Sequence, residues 1–242
     1  MKTSNKLVVA AGALVLGALA TYDAALHAEY RTGNYKNPLH NYQTLGLRNF
    51  DAVRVPAAGE LNVKIESGPF AVHVSQEAAE FVRVTQQGKT LAVTVAYPKE
   101  WKWLGRQEAV LISCPALKSL TAAGTYTVAG QPQLDGLRAG GEVQVQGFRQ
   151  DSLTLRQERS SQIKLVGNTL GWLAATAGTS PGSQSGLTIG ADNRIQAANV
   201  TIAHRGRLDL AAAIPRLRHQ FSDSASVVLS GAAVRSLDTA SK

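Results

Sequence analysis

Residues 142–166 read EVQVQGFRQDSLTLRQERSSQIKLV. Val143 and Val145 alternate with polar neighbours, and so do Leu153 and Leu155, then Ile163 and Leu165. Such period-two alternation puts the apolar side chains on one face of an extended strand. The first pair returns 20 residues later at Ile163/Leu165. Leu187/Ile189, Leu208/Leu210 and Val227/Leu229 follow at intervals of 24, 21 and 19. A second set lies between them: Leu153/Leu155, Leu170, Val200/Ile202 and Leu217. A repeat of this length with two or more strands per period predicts a β-solenoid, in which each coil buries its apolar face only against its neighbours. Glycines such as Gly147, Gly167, Gly190 and Gly231 suit the tight corners. A two-sheet sandwich is the competing architecture.

Alternation extends upstream to Phe50. Val53/Val55, Leu61/Val63/Ile65, Phe70/Val72/Val74, Val82/Val84 and Leu91/Val93/Val95 read as short strands, punctuated by Gly59, Ser67-Gly68-Pro69 and Gln87-Gly88. This portion, up to about residue 98, reads as an ordinary antiparallel or wrapped sheet, and the clear periodicity starts near residue 110.

Composition agrees with an all-β chain. Of 242 residues, 44% are hydrophobic and only 17% charged, too apolar for disorder. The net charge of +8 gives a basic surface. Its densest cluster is Arg205, Arg207, Arg216 and Arg218 with His204 and His219, which lacks the interleaved aromatics of single-stranded nucleic-acid binding, so no nucleic-acid partner is expected. The one cysteine, Cys114, excludes an internal disulfide and reads as a small buried side chain.

Lys2 and Lys6 precede an uncharged stretch, Leu7–Tyr22, the pattern of a secretory signal or a single anchor. Small residues suited to cleavage occur at Ala18-Leu19-Ala20 and Leu26-His27-Ala28. The positive flank places everything after the segment outside the cytoplasm. The expected organisation is residues 1–22 as signal or transmembrane anchor, 23–47 as polar connector and 48–238 as solenoid domain.

Four segments resemble a known family. They are Phe50-Asp51-Ala52-Val53-Arg54-Val55, Leu61-Asn62-Val63-Lys64-Ile65, Leu91-Ala92-Val93-Thr94-Val95 and Cys114-Pro115-Ala116-Leu117-Lys118-Ser119-Leu120-Thr121-Ala122-Ala123-Gly124. Together they resemble the bacterial GIN domain, the auto-transporter adhesin head domain, over roughly residues 48–234. The family's Gly-Ser-Gly steps become Ala-Gly-Thr at 123–125, Ala-Gly-Gly at 139–141 and Leu-Ser-Gly at 229–231. The resemblance implies a right-handed parallel β-helix-like fold in exported proteins, with no established catalytic residues.

Candidate chemistry is sparse. Gly178-Thr179-Ser180-Pro181-Gly182 has the spacing of a nucleophile elbow, but Pro181 lacks the N–H that would build the oxyanion hole. The carboxylates Asp135, Glu142, Asp151, Glu158, Asp192, Asp209 and Asp223 are dispersed, without the close pair of a glycosidase. None of His27, His40, His73, His204 and His219 has a ligand partner three or four residues away, and Asp192-Asn193 reads as a polar turn rather than a calcium site. No catalytic residue, metal site or cofactor is expected. Trp101-Lys102-Trp103-Leu104-Gly105-Arg106 stands apart. Trp101 and Trp103 among cations are the candidate ligand contacts, for a sugar ring or a headgroup layer, unless they cover the end of the core.

The sequence thus predicts an all-β, right-handed parallel β-helix-like solenoid with an N-terminal hydrophobic helix, exported to the periplasm or cell surface. It reads as a non-enzymatic, adhesin-like module for an envelope glycan or surface protein, attached to the membrane through residues 7–22 if these are uncleaved. The alternatives are a membrane-anchored envelope scaffold and a polysaccharide-active β-helix enzyme.

Overall fold

The computed structural model of the protein describes residues 3–33, 36–134 and 140–234. Lys2, Tyr35, Asp135, Ala139 and residues 235–238, which entered the sequence reading, lie outside the described residues. The chain divides into two units, Met1–Tyr42 and Gln43–Lys242.

The first unit is dominated by a helix, α1 (Thr3–Thr32). It extends ten residues beyond the uncharged stretch, so the start of the polar connector is helical. Leucine and alanine favour helix, and Gly33 ends it with a φ of 72°, a left-handed conformation that glycine adopts without strain. Residues Asn5–Thr32 are long and apolar enough to cross a membrane, and Leu7, Val8, Leu14 and Leu16 are exposed. A helix of this kind at the N-terminus fits a signal sequence or an anchor.

The second unit is built of strands. They are β1 (Tyr42–Leu45), β2 (Ala52–Val55), β3 (Asn62–Ser67), β4 (Ala71–Ser75), β5 (Val82–Gln87), β6 (Thr90–Tyr97) and β7 (Glu108–Cys114). Next come β8 (Ser119–Ala122), β9 (Thr125–Val128), β10 (Gln131–Leu134), β11 (Val143–Gln146), β12 (Arg149–Gln157) and β13 (Gln162–Val166). The last are β14 (Thr169–Ala177), β15 (Gly186–Ile189), β16 (Arg194–Ile202), β17 (Arg207–Leu210), β18 (Arg216–Phe221) and β19 (Ser226–Leu229). They form two open sheets, in the orders β1-β4-β7-β3-β11-β13-β15-β17-β19 and β10-β9-β6-β2-β8-β12-β14-β16-β18, with β5 added beside β6. From β11 onward the chain alternates between the sheets, and each strand pairs in parallel with the next strand but one.

The observed architecture is therefore mostly β with an N-terminal apolar helix. Its register follows the sequence repeat: Val143 pairs Ile163, Ile163 pairs Leu187, Leu187 pairs Leu208 and Leu208 pairs Val227. Val143, Ile163, Leu187 and Leu208 are buried in one core with counterparts in the other sheet such as Leu155, Leu173, Val200 and Ile202, and Val227 packs half-buried against it. The upstream region departs from an ordinary antiparallel sheet. β2 and β3 belong to the parallel stack, pairing β8 and β11 respectively, while β4–β7 and β5–β6 are antiparallel ladders inserted between them in sequence.

The three nine-residue strands bend. Leu170 and Leu173 are both buried, a spacing of three instead of two, and the ladders to β12 and β16 skip Gly171. A Cβ at Gly171 would sit 2.8 Å from the carbonyl oxygen of Asp151, so the close approach at the bend requires glycine. Trp172, just past the bend, faces outward.

Candidate binding surfaces

The segment between β6 and β7 carries Trp101 and Trp103, which are 53% and 58% exposed. It links the two sheets, and its tryptophans do not cover the core. That role falls to Tyr97, 1% exposed, whose ring lies 5.4 Å from Phe81 and 6.0 Å from Tyr126, and to Leu104, packed against the core edge. The segment is held at two points. The indole N–H of Trp101 donates to Oε2 of Glu60 at 2.5 Å, and the Tyr97 hydroxyl donates to the same oxygen at 3.3 Å. Lys102 Nζ lies 5.3 Å from the centre of the Phe81 ring, a cation–π contact. Burial, reinforced by the Glu60 carboxylate, raises the Tyr97 pKa, so its hydroxyl remains a donor at physiological pH.

A second aromatic surface lies on the outer face of the second sheet, on β14, β16 and β18. Trp172, 39% exposed, borders a cleft of about 600 Å³ lined by Gly171, Ala197, Pro215, Arg216, Leu217 and Arg218. In register, Trp172 pairs Ala197 and Ala197 pairs Arg216, with Asn199 and Arg218 paired two residues further along. The sequence reading found Arg216 and Arg218 without an aromatic companion. The structure supplies one from 44 positions upstream of Arg216. Superposing Leu173, Ala198 and Leu217 as the inward residues of successive passes would have brought Trp172 and Arg216 into line. The rest of the basic cluster disperses: Arg207 sits in the first sheet and pairs with Asp209 at 2.9 Å, and His219 stacks on Phe221 at 4.9 Å.

Four carboxylates, those of Asp51, Glu66, Glu158 and Asp209, are engaged by cations. Asp51 pairs with Lys118 at 2.7 Å and Glu158 with Arg156 at 2.8 Å. The hydrogen bond from Lys118 holds Asp51 below the usual carboxylate pKa, and that from Arg156 does the same for Glu158. A general acid requires the opposite shift. Ser180, the serine of the elbow-like spacing, donates its hydroxyl to Glu158 at 3.1 Å, and Ser183 in the same loop is buried and accepts from the Arg159 N–H at 2.9 Å. Asn193 turns its amide into the core, where it donates to the carbonyls of Leu165 and Gly190. Among the described residues, no group of three His, Cys, Asp or Glu side chains is placed to hold a metal ion.

No protein-family model matches the chain. No curated relative matches it either. Solved structures do. The crystal structure of a "putative adhesin" from Bacteroides fragilis NCTC 9343 superposes with a TM-score of 0.52 at 9% identity, covering 78% of this chain and 96% of that one. A "putative adhesin" from Parabacteroides distasonis ATCC 8503 aligns at a TM-score of 0.39 and 10% identity, over 78% of this chain and 80% of that one. A "putative lipid binding protein" from the same organism aligns at 0.30 and 14%, over 78% and 94%. The chain is thus similar in fold to the Bacteroides fragilis protein, across nearly all of that protein's length.

Proposed function

We propose that the chain is an exported, non-enzymatic binding module of the GIN type. In this reading its two parallel stacks are the walls of a right-handed β-helix-like solenoid. The module sits at the periplasmic or outer surface, held to the membrane by residues 7–22 where these are retained, and contacts an envelope glycan or a surface protein in the manner of an adhesin head. The supporting observation is the pair Trp101 and Trp103, both more than half exposed on a segment pinned by Glu60 and Phe81. Exposed, pre-positioned indoles lose little conformational freedom on binding and offer flat apolar faces to sugar rings or apolar side chains. The fold likeness to a protein described as an adhesin points the same way.

The test is a glycan array and a panel of envelope proteins probed with the full chain in detergent, beside a Trp101→Ala/Trp103→Ala variant. Binding by the native chain that the variant loses supports the reading. Silence from both removes it, and equal binding by both moves the contact away from this segment. A scaffold role instead predicts an uncleaved N-terminus in the membrane fraction and no ligand on either panel.

A further inference from the structure

We propose that the outer face of the second sheet carries a site for an acidic saccharide, built from Trp172, Arg216 and Arg218. It is separate from the Trp101/Trp103 segment and stands on different observations.

The register places Trp172, Ala197 and Arg216 in one row across β14, β16 and β18. Neighbouring strands lie about 4.8 Å apart, so roughly 10 Å separates the first backbone from the third. The residue between them is an alanine, 4% exposed, whose short side chain lines the floor of the cleft without filling it as a longer one would. Arg218 projects from the next outward position of β18, giving two guanidinium groups along one edge of the cleft. Among the described residues neither guanidinium has a hydrogen-bond or ion-pair partner, although those of Arg156 and Arg207 each do. Among the described residues no acidic side chain lines the cleft.

These parts have complementary uses. An indole face packs against the C–H face of a pyranose ring. A guanidinium binds a carboxylate through two parallel N–H donors. A uronic-acid ring stacked on Trp172 would carry its carboxylate, or that of the next residue, across Ala197 to Arg216 and Arg218. A cleft of about 600 Å³ lies within the usual range of small-ligand sites. The single indole favours a saccharide over single-stranded nucleic acid, whose successive bases require successive aromatic platforms.

The chain has three tryptophans, so a Trp101→Phe/Trp103→Phe variant of the full chain leaves Trp172 as its only indole. This variant in detergent is titrated with galacturonic-acid trisaccharide, its carboxyl-reduced neutral form, polyglutamate and a single-stranded oligonucleotide, following indole emission. The acidic trisaccharide should give a saturable change, with the neutral form at least about tenfold weaker. Arg216→Gln and Arg218→Gln should each weaken the acidic form by about tenfold, the scale of one lost charge-assisted hydrogen bond. Ala197→Leu, which fills the floor, should abolish the response while circular dichroism stays unchanged. Equal affinity for the acidic and neutral trisaccharides overturns the proposal. So does polyglutamate or the oligonucleotide binding as tightly as the acidic trisaccharide, and so does the absence of any response. None of these outcomes bears on the Trp101/Trp103 segment, which the array reads separately.

Discussion

The side-chain amide of Asn168 donates to Oδ1 of Asn193 at 3.0 Å, across 25 positions of sequence and inside the core. Both residues are buried, and each occupies the turn just before a long strand of the second sheet. Asn168 also donates to the Val145 carbonyl at 3.0 Å and accepts from the Phe148 N–H at 3.0 Å. Asn193 Oδ1 accepts a second bond from the Asn168 N–H. The two amides thus satisfy backbone groups that the corner would otherwise leave unpaired, and they lock successive passes of the chain in register.

Asn168→Ala should therefore destabilise the protein by about 2–4 kcal/mol, because it strands the Phe148 N–H and the Val145 carbonyl in the interior. Thermal unfolding followed by circular dichroism should show the transition lowered by roughly 5–15 °C. A loss below about 1 kcal/mol would mean that the corner finds other partners, and that the ladder is not what holds the register.

Gly178 is a second sensitive corner. Its φ is 76°, and an added Cβ would sit 2.3 Å from the carbonyl oxygen of Ala203. Gly178→Ala combines left-handed strain with a clash against backbone, so a cost of about 2 kcal/mol or more is expected. Gly182, with the same φ of 76° but open space around it, isolates the strain: Gly182→Ala should cost only about 1 kcal/mol. Chemical denaturation of both variants measures the difference, and equal costs would refute the steric part.

Cys114 should be inert in the folded protein. Burial pushes its thiol pKa up to about 12, with a smaller contribution from the Asp51 carboxylate. The reactive thiolate is then scarce at pH 8 and shielded as well. A thiol-reactive chromogen should label the native chain negligibly and the denatured chain stoichiometrically. Fast labelling of the native chain would contradict the buried placement.

Acid should weaken the fold through Asp51 and Glu158. Both carboxyls are depressed in the folded state by their cationic partners. Their contribution is complete above the unfolded carboxylate pKa, about 4, and fades as pH falls below it through the folded values. Asp51→Asn and Glu158→Gln should each flatten the fall in melting temperature between pH 5 and pH 2, relative to the native chain. Both pairs are partly exposed, so the effect should shrink in high salt. A native profile unchanged by either substitution would assign acid sensitivity to other groups.

The repeat of apolar pairs was legible because burial demands it. Val143, Ile163, Leu187, Leu208 and Val227 must point inward, and the ladder then pairs them one to the next. The same logic fails upstream, where alternation looks alike in parallel and antiparallel ladders. Nothing local tells β3 that its partner is β11, 80 residues away at Val63 and Val143, rather than the adjacent β4. The bend at Gly171 was hidden for a related reason: a strand that turns changes its inward phase, so Leu170 and Leu173 do not look like one element.

The sequence by itself determined the strand-forming pattern, the N-terminal apolar segment, the lone unpaired cysteine and the unusual pair Trp101 and Trp103, because each is a property of composition or short-range period. Only the tertiary structure decided which outward residues become neighbours. Outward positions carry no burial constraint, so their sequence spacing is silent about contact. Trp172 and Arg216 meet across Ala197 through the stacking of three bent strands, and Asn168 meets Asn193 through the corner that those strands share.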